Sequence, residues 1–225
     1  MASEKVFNAL KRFSTCDIGD ALVKLNVPYG GYLHGLKMFS PLQQAGETKI
    51  FGPAYTVQLV DATNTSAPKP AGHFADSIEK DSVVFISQPK GFYSACWGGL
   101  MSTRAKYLGA KGVVIDGCFR DINEHREMEF PLFAKTSSSL GNNTFTRASA
   151  LNVPVEFTSP EQIRPCTIHP GDLIVADADG VVVIPPSKAE ECLGICEERA
   201  KIDELTMEAL RKGEEMGATL ARLRK

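Results

Sequence analysis

The chain has 225 residues, 43% hydrophobic and 23% charged, the balance of a soluble globular protein with enough apolar side chains for a substantial core. Its 25 Lys and Arg against 27 Asp and Glu leave a formal net charge of −2, which offers nucleic acid no general field and disfavours a nucleic-acid binder. No apolar run nears the roughly 18 residues of a membrane span. The opening MASEKVFNALKRF also lacks the apolar stretch of a secretory signal, so a cytoplasmic protein without membrane contact is expected.

In chain order, apolar spacing predicts helix from Glu4 to Leu25, split into two by Ser14, Thr15 and Asp17, the second capped by Thr15 or its neighbour. Short Val/Ile/Phe-rich runs at 54–60 and 82–88 read as strands, with a short helix around 74–78. A helix over 99–108 and a strand over 112–115 follow, and strand, helix, strand is the pattern of a parallel crossover. Past Pro131 the chain turns β-rich, with strands at 153–157, 163–168, 173–176 and 181–184 and a hairpin signal at Asp179-Gly180. From Ser187, read as a cap, a long amphipathic helix runs to a stop at Gly213. One α/β domain over 1–225, with helices outside a mixed β core, is expected.

The six cysteines, Cys16, Cys96, Cys118, Cys166, Cys192 and Cys196, contain no CxxC pair and read as ordinary thiols. The acids from Asp172 to Asp179 lack the spacing and closing Glu of a helix-loop-helix calcium site. The glycines from Gly109 to Gly117 do not form a dinucleotide fingerprint.

The stretch Trp97 to Arg126, WGGLMSTRAKYLGAKGVVIDGCFRDINEHR, is the most informative. Gly98-Gly99 at a helix start would leave the Leu100 and Met101 amides open to a carboxylate; the same pair also suits a plain loop. Arg120-Asp121 falls at the carboxyl end of a parallel strand, where open α/β sheets place ligands. Arg120 can bind a carboxylate or enolate through two hydrogen bonds, and Asp121 is a hard oxygen ligand for a divalent cation. A surface ion pair or a helix cap would read the same way. His125, beside Glu124, is a rim candidate, whereas His34, His73 and His169 read as structural or surface residues.

With RFSTCDIGDAL, this central motif and HPGDLIVADADGVVVIP in view, the chain resembles the RraA-like (regulator of ribonuclease activity A-like) proteins over most of its length, fungal members in particular. That family includes class II, metal-dependent 4-hydroxy-4-methyl-2-oxoglutarate aldolases, several of which also decarboxylate oxaloacetate. The resemblance implies an α-β-β-α sandwich similar to the phosphohistidine swivelling domain, with a long C-terminal helix, assembled as a homotrimer that can pair into a hexamer. It also implies that Asp121 ligates Mg²⁺ or Mn²⁺, that Arg120 binds the pyruvyl oxygen, and that Leu100 and Met101 amides hold the carboxylate of pyruvate or oxaloacetate. Glu124 matches the family's later acid, while its first acid falls on Gly99. An acid from a neighbour's C-terminal helix, Asp203 or Glu204, would complete the site. The rival implication is a non-catalytic, protein-binding regulator on the same scaffold; such members lack the Asp that this chain keeps at 121.

Overall fold

A computed structural model describes residues 3–224. Helices α1 (Glu4–Leu10) and α2 (Thr15–Lys24) open the chain, followed by strands β1 (Lys37–Ser40), β2 (Ile50–Asp61), β3 (Val83–Ser87) and β4 (Ala95–Trp97). Helix α3 (Gly99–Leu108), strand β5 (Gly112–Phe119) and helix α4 (Ile122–Glu127) come next. Strands β6 (Leu132–Ser137), β7 (Thr146–Leu151), β8 (Val155–Ser159), β9 (Gln162–Ile168), β10 (Leu173–Asp177) and β11 (Gly180–Ile184) precede helices α5 (Ala189–Arg211) and α6 (Met216–Leu223). No helix among the described residues is long and apolar enough to cross a membrane.

The local chemistry explains the best-defined ends. Ser14 and Asp17 form a reciprocal capping box at α2. Gly109 ends α3 at a φ of 85°, and Gly213 follows α5 at 89°, both in the left-handed region. Ser187, in contrast, lies inside a 3₁₀ turn from Pro186 to Lys188, and α5 begins without a side-chain cap. The two consecutive prolines before Ser187 set that turn first.

Among the described residues, nine strands form one mixed sheet in the order β1-β6-β5-β3-β2-β10-β11, with β4 on β5 and β7 on β2, while β8 and β9 pair separately. β3 and β5 are parallel, from Val83 opposite Gly112 to Ser87 opposite Asp116, with β4 and α3 between them in sequence. β10 and β11 are antiparallel across Asp179, as the Asp-Gly signal predicts.

Alternation along the strands builds the layers. Val84, Ile86, Val113 and Ile115 pack with Trp97 and Ala105 on the α3 side. Val83, Phe85 and Val114 face the opposite way, against Phe157, Ile168, Ile174, Ala176 and Val181. Leu173, Val175, Val182 and Ile184 turn outward again, onto α1, α2 and α5 through Leu10, Ile18, Leu22, Cys192 and Cys196. Helix, sheet, sheet, helix is therefore the layer order, a mixed β core with outer helices and a long C-terminal helix, of swivelling-domain type. All six cysteines are free thiols.

Candidate active site

The carboxyl end of β5 places the central pair. Arg120 donates its backbone N–H to Trp97 O at 3.0 Å, tying the end of β5 to the residue before Gly98. Asp121 then adopts φ 66°, ψ 45°, a left-handed conformation that Asp tolerates better than most residues, and this turn starts α4. His125 fixes the turn from below: its ring is fully buried, packs against Phe119, and Nε2 lies 2.6 Å from Arg120 O. Burial holds the His125 pKa below its ordinary value. The neutral ring therefore donates from Nε2, and its buried Nδ1 has no partner among the described residues.

Two carboxylates rest against the start of α3. Asp121 Oδ2 accepts from the Gly99 N–H at 3.0 Å and lies 3.4 Å from Arg120 Nε. It serves as the external cap of a helix whose own N-cap, Gly98, makes no side-chain cap bond. A Cβ at Gly98 would lie 2.6 Å from Asp121 Oδ2, and a Cβ at Gly99 would lie 1.6 Å from Glu124 Oε2 and 2.7 Å from its Cδ. The glycine pair thus admits both acids to the backbone. Its role as an open anion cradle is narrower: the Met101 N–H already donates to Gly98 O at 3.1 Å, and the Leu100 N–H is the one of the two without an acceptor among the described residues.

Arg120, Asp121, Glu124, Arg126 and the Ser137–Ser139 turn line an open cleft of about 700 Å³. The Arg120 side chain is 46% exposed and Asp121 29%, so both reach solvent. Gly141 lets the guanidinium pass, since its Cβ position is 2.9 Å from Arg120 Nη1. The structure therefore brings Gly98, Gly99, Arg120, Asp121 and Glu124 together at one mouth. Leu100 is 86% exposed beside it. Asp203 and Glu204 lie elsewhere within the chain, on α5, which packs against α1, α2 and α6; Asp203 pairs with Arg224 at 2.7 Å. Ser137–Ser139 and Arg126 carry no motif spacing, and the pairing of β5 with β6, Phe119 opposite Ser137, is what delivers the serines.

Among the described residues no three His, Cys, Asp or Glu side chains converge. A divalent ion at this mouth would be held by Asp121, with Glu124 beside it and water for the remaining positions, a donor set that suits Mg²⁺ or Mn²⁺.

Residues 15–183 match the family model described as RraA-like: Aldolase/RraA. The chain belongs to the RraA-like family. It is 31% identical over 162 residues to a Halalkalibacterium halodurans protein provisionally named 4-hydroxy-4-methyl-2-oxoglutarate aldolase, covering 72% of each chain. Protein DlpA of Legionella pneumophila is 29% identical over 227 residues, 99% of this chain but 34% of DlpA, so the chain spans about a third of that relative's length. Among solved structures, a protein from Pseudomonas syringae pv. tomato str. DC3000 superposes with a TM-score of 0.80 at 27% identity, covering 97% of this chain and 98% of that one. RraAS2 of Streptomyces coelicolor, titled an unusual member of the RNase ES inhibitor RraA family, shares the fold at a TM-score of 0.78 and 24% identity, covering 92% and 98%.

Proposed function

We propose that this chain is a divalent-metal-dependent pyruvate aldolase. Its substrate would be 4-hydroxy-4-methyl-2-oxoglutarate or 4-carboxy-4-hydroxy-2-oxoadipate, cleaved to pyruvate plus a second keto acid, with decarboxylation of oxaloacetate by the same route. The observation that carries this reading is the packing of Asp121 and Glu124 against Gly98-Gly99 with Arg120 beside them in a solvent-open cleft. The aldolase-named relative supports it.

Breaking C3–C4, or losing carbon dioxide from oxaloacetate, leaves an electron pair that must be held as a pyruvate enolate. Arg120, the cation beside Asp121, would donate to the oxygen on which that charge develops. The Leu100 amide, at the positive end of α3, would accept the substrate's C1 carboxylate. Asp121 and Glu124 would hold Mg²⁺ or Mn²⁺, which when bound acts as a Lewis acid on the same oxygen. Glu124 would also orient the water that takes the proton leaving the C4 hydroxyl. In an assembled trimer, Asp203 or Glu204 of a neighbouring copy would close the cleft.

A second reading, a non-catalytic protein-binding regulator on the same scaffold, is favoured by Gly99 standing where the resemblance expects an acid. Pyruvate release from oxaloacetate and from 4-hydroxy-4-methyl-2-oxoglutarate, with Mg²⁺ and with EDTA, separates the two. EDTA-sensitive turnover is expected; pyruvate at the protein-free rate would leave the regulator.

A further inference from the structure

A second cleft, of about 660 Å³, opens between segment 62–74 and segment 142–148. Its lining approaches the first cleft at two points. Met101, two residues beyond the amide that Asp121 engages, lines it, and so does Asn142, next to the Gly141 that Arg120 passes. Its charged lining is one-signed: Lys69 and Arg147 face it, with His73 beside them, and no carboxylate does among the described residues. None of the three is in an ion pair among those residues.

Each of the three is differently placed. Half-buried Arg147 donates to the carbonyls of Asn64, Ala67, Pro68 and Ala148, which fixes the 62–68 loop and leaves its positive charge without a counterion. His73 Nδ1 accepts from the Ala75 N–H at 3.2 Å, so the ring proton sits on Nε2 as a donor, and the ring stacks on Phe74 at 4.9 Å. Lys69 is exposed on the loop that Arg147 holds. Asn142 Oδ1 accepts from the Thr146 hydroxyl, leaving its amide N–H groups for a ligand. Donors without acids, around a half-buried uncompensated guanidinium, suit a carboxylate.

We propose that this cleft is the subsite for the second carboxylate of the substrate, held by Lys69 Nζ and His73 Nε2 in the field of Arg147. The assignment rests on the pyruvate-aldolase reading, whose substrates carry a carboxylate at each end, and adds to it the residues that hold the far one. The test is isothermal titration, in the presence of Mg²⁺, with three probes that are not cleaved: 2-oxoglutarate, 2-oxopentanoate, which has the same chain length and one carboxylate, and pyruvate. The unsubstituted protein should bind 2-oxoglutarate about tenfold more tightly than 2-oxopentanoate, the worth of one charge-assisted hydrogen bond. In the Lys69→Ala/His73→Gln variant that ratio should fall towards one while pyruvate affinity stays unchanged, which also reports an intact fold. No preference in the unsubstituted protein, or a preference that survives the double substitution, would overturn the subsite alone. Failure of pyruvate itself to bind the unsubstituted protein would overturn the aldolase reading beneath it.

Discussion

The carboxylate of Glu124 occupies the space that any side chain at Gly99 would need, with Oε2 1.6 Å from the Cβ position. The two residues are far apart in sequence, yet the absence of atoms at one sets the position of the charge at the other. Gly99→Ala should therefore force Glu124 to rotate away while leaving α3 intact, since alanine is the better helix former. We expect a thermal midpoint close to that of the unsubstituted protein and about a tenfold loss of Mn²⁺ affinity, the worth of one charged ligand contact, read by electron paramagnetic resonance. Unchanged Mn²⁺ binding would show that Glu124 takes no part in the site.

Arg120 and Asp121 should separate by the quantity each controls. Arg120→Ala is expected to slow pyruvate release by about 10²–10³, the effect of removing one oxyanion donor, with Mn²⁺ binding retained. Asp121→Asn keeps a residue tolerant of the left-handed turn and an oxygen for the Gly99 N–H, but removes the negative charge. It should lose Mn²⁺ binding and reduce turnover to background. Retention of ion binding in the Asn variant would place the metal elsewhere.

His125 predicts a pH dependence of stability. Its folded pKa lies below the ordinary value of 6.5 because burial opposes the charged ring. Both states carry a neutral ring above pH 6.5; below it the unfolded chain takes up the proton first, so stability falls as pH drops from about 6.5 towards the lower folded pKa. Urea titrations across this range should show that decline, and His125→Gln should flatten it. An equal slope in both proteins would assign the decline to other groups.

Asp116 is the buried acid of the sheet. Its carboxylate, fully shielded, binds Lys90 at 2.7 Å and Lys135, whose ammonium also donates to Thr158 O at 2.9 Å and lies 4.9 Å from the Phe157 ring. Burial pushes the Lys90 pKa down, opposed by the same Asp116 charge. Asp116→Asn would leave two ammonium groups around a neutral amide and is expected to destabilise the fold more than loss of either lysine. Lys90→Met, at a half-exposed side chain, should cost far less. Denaturant titration of both variants checks the order; similar losses would mean that Lys90, not the carboxylate, anchors the cluster.

Much of this architecture is legible in sequence because local chemistry sets it. The helix break at Ser14, Thr15 and Asp17, the Gly213 stop, the α3 helix and the Asp179-Gly180 hairpin all rest on residues within a few positions of one another. β1, β6 and β7 are not marked in that way. β7, TRASAL, is held by antiparallel pairing to distant β2, and its alternation of small and polar residues carries little hydrophobic signal. Helix α4, INEHRE, is a single short polar segment that starts from the left-handed turn of Asp121. The short α6 follows the Gly213 stop, beyond the point where the apolar pattern of the long helix ends. At the site, Arg120-Asp121 is visible because a strand end and a turn mark it. The fit of Glu124 over Gly99 is not, because it depends on how α4 folds back across α3.

Strand β2 serves both halves of the chain. Residues 54–58 pair with β3, while along its length β10 takes 50–53 and β7 takes 57–61. During synthesis this strand emerges before its later neighbours: β7 is complete at residue 151 and β10 at residue 177. Until then the 50–53 end of β2 has no partner strand, and its backbone hydrogen-bonding groups are the stretch of the sheet left open longest to stray pairing.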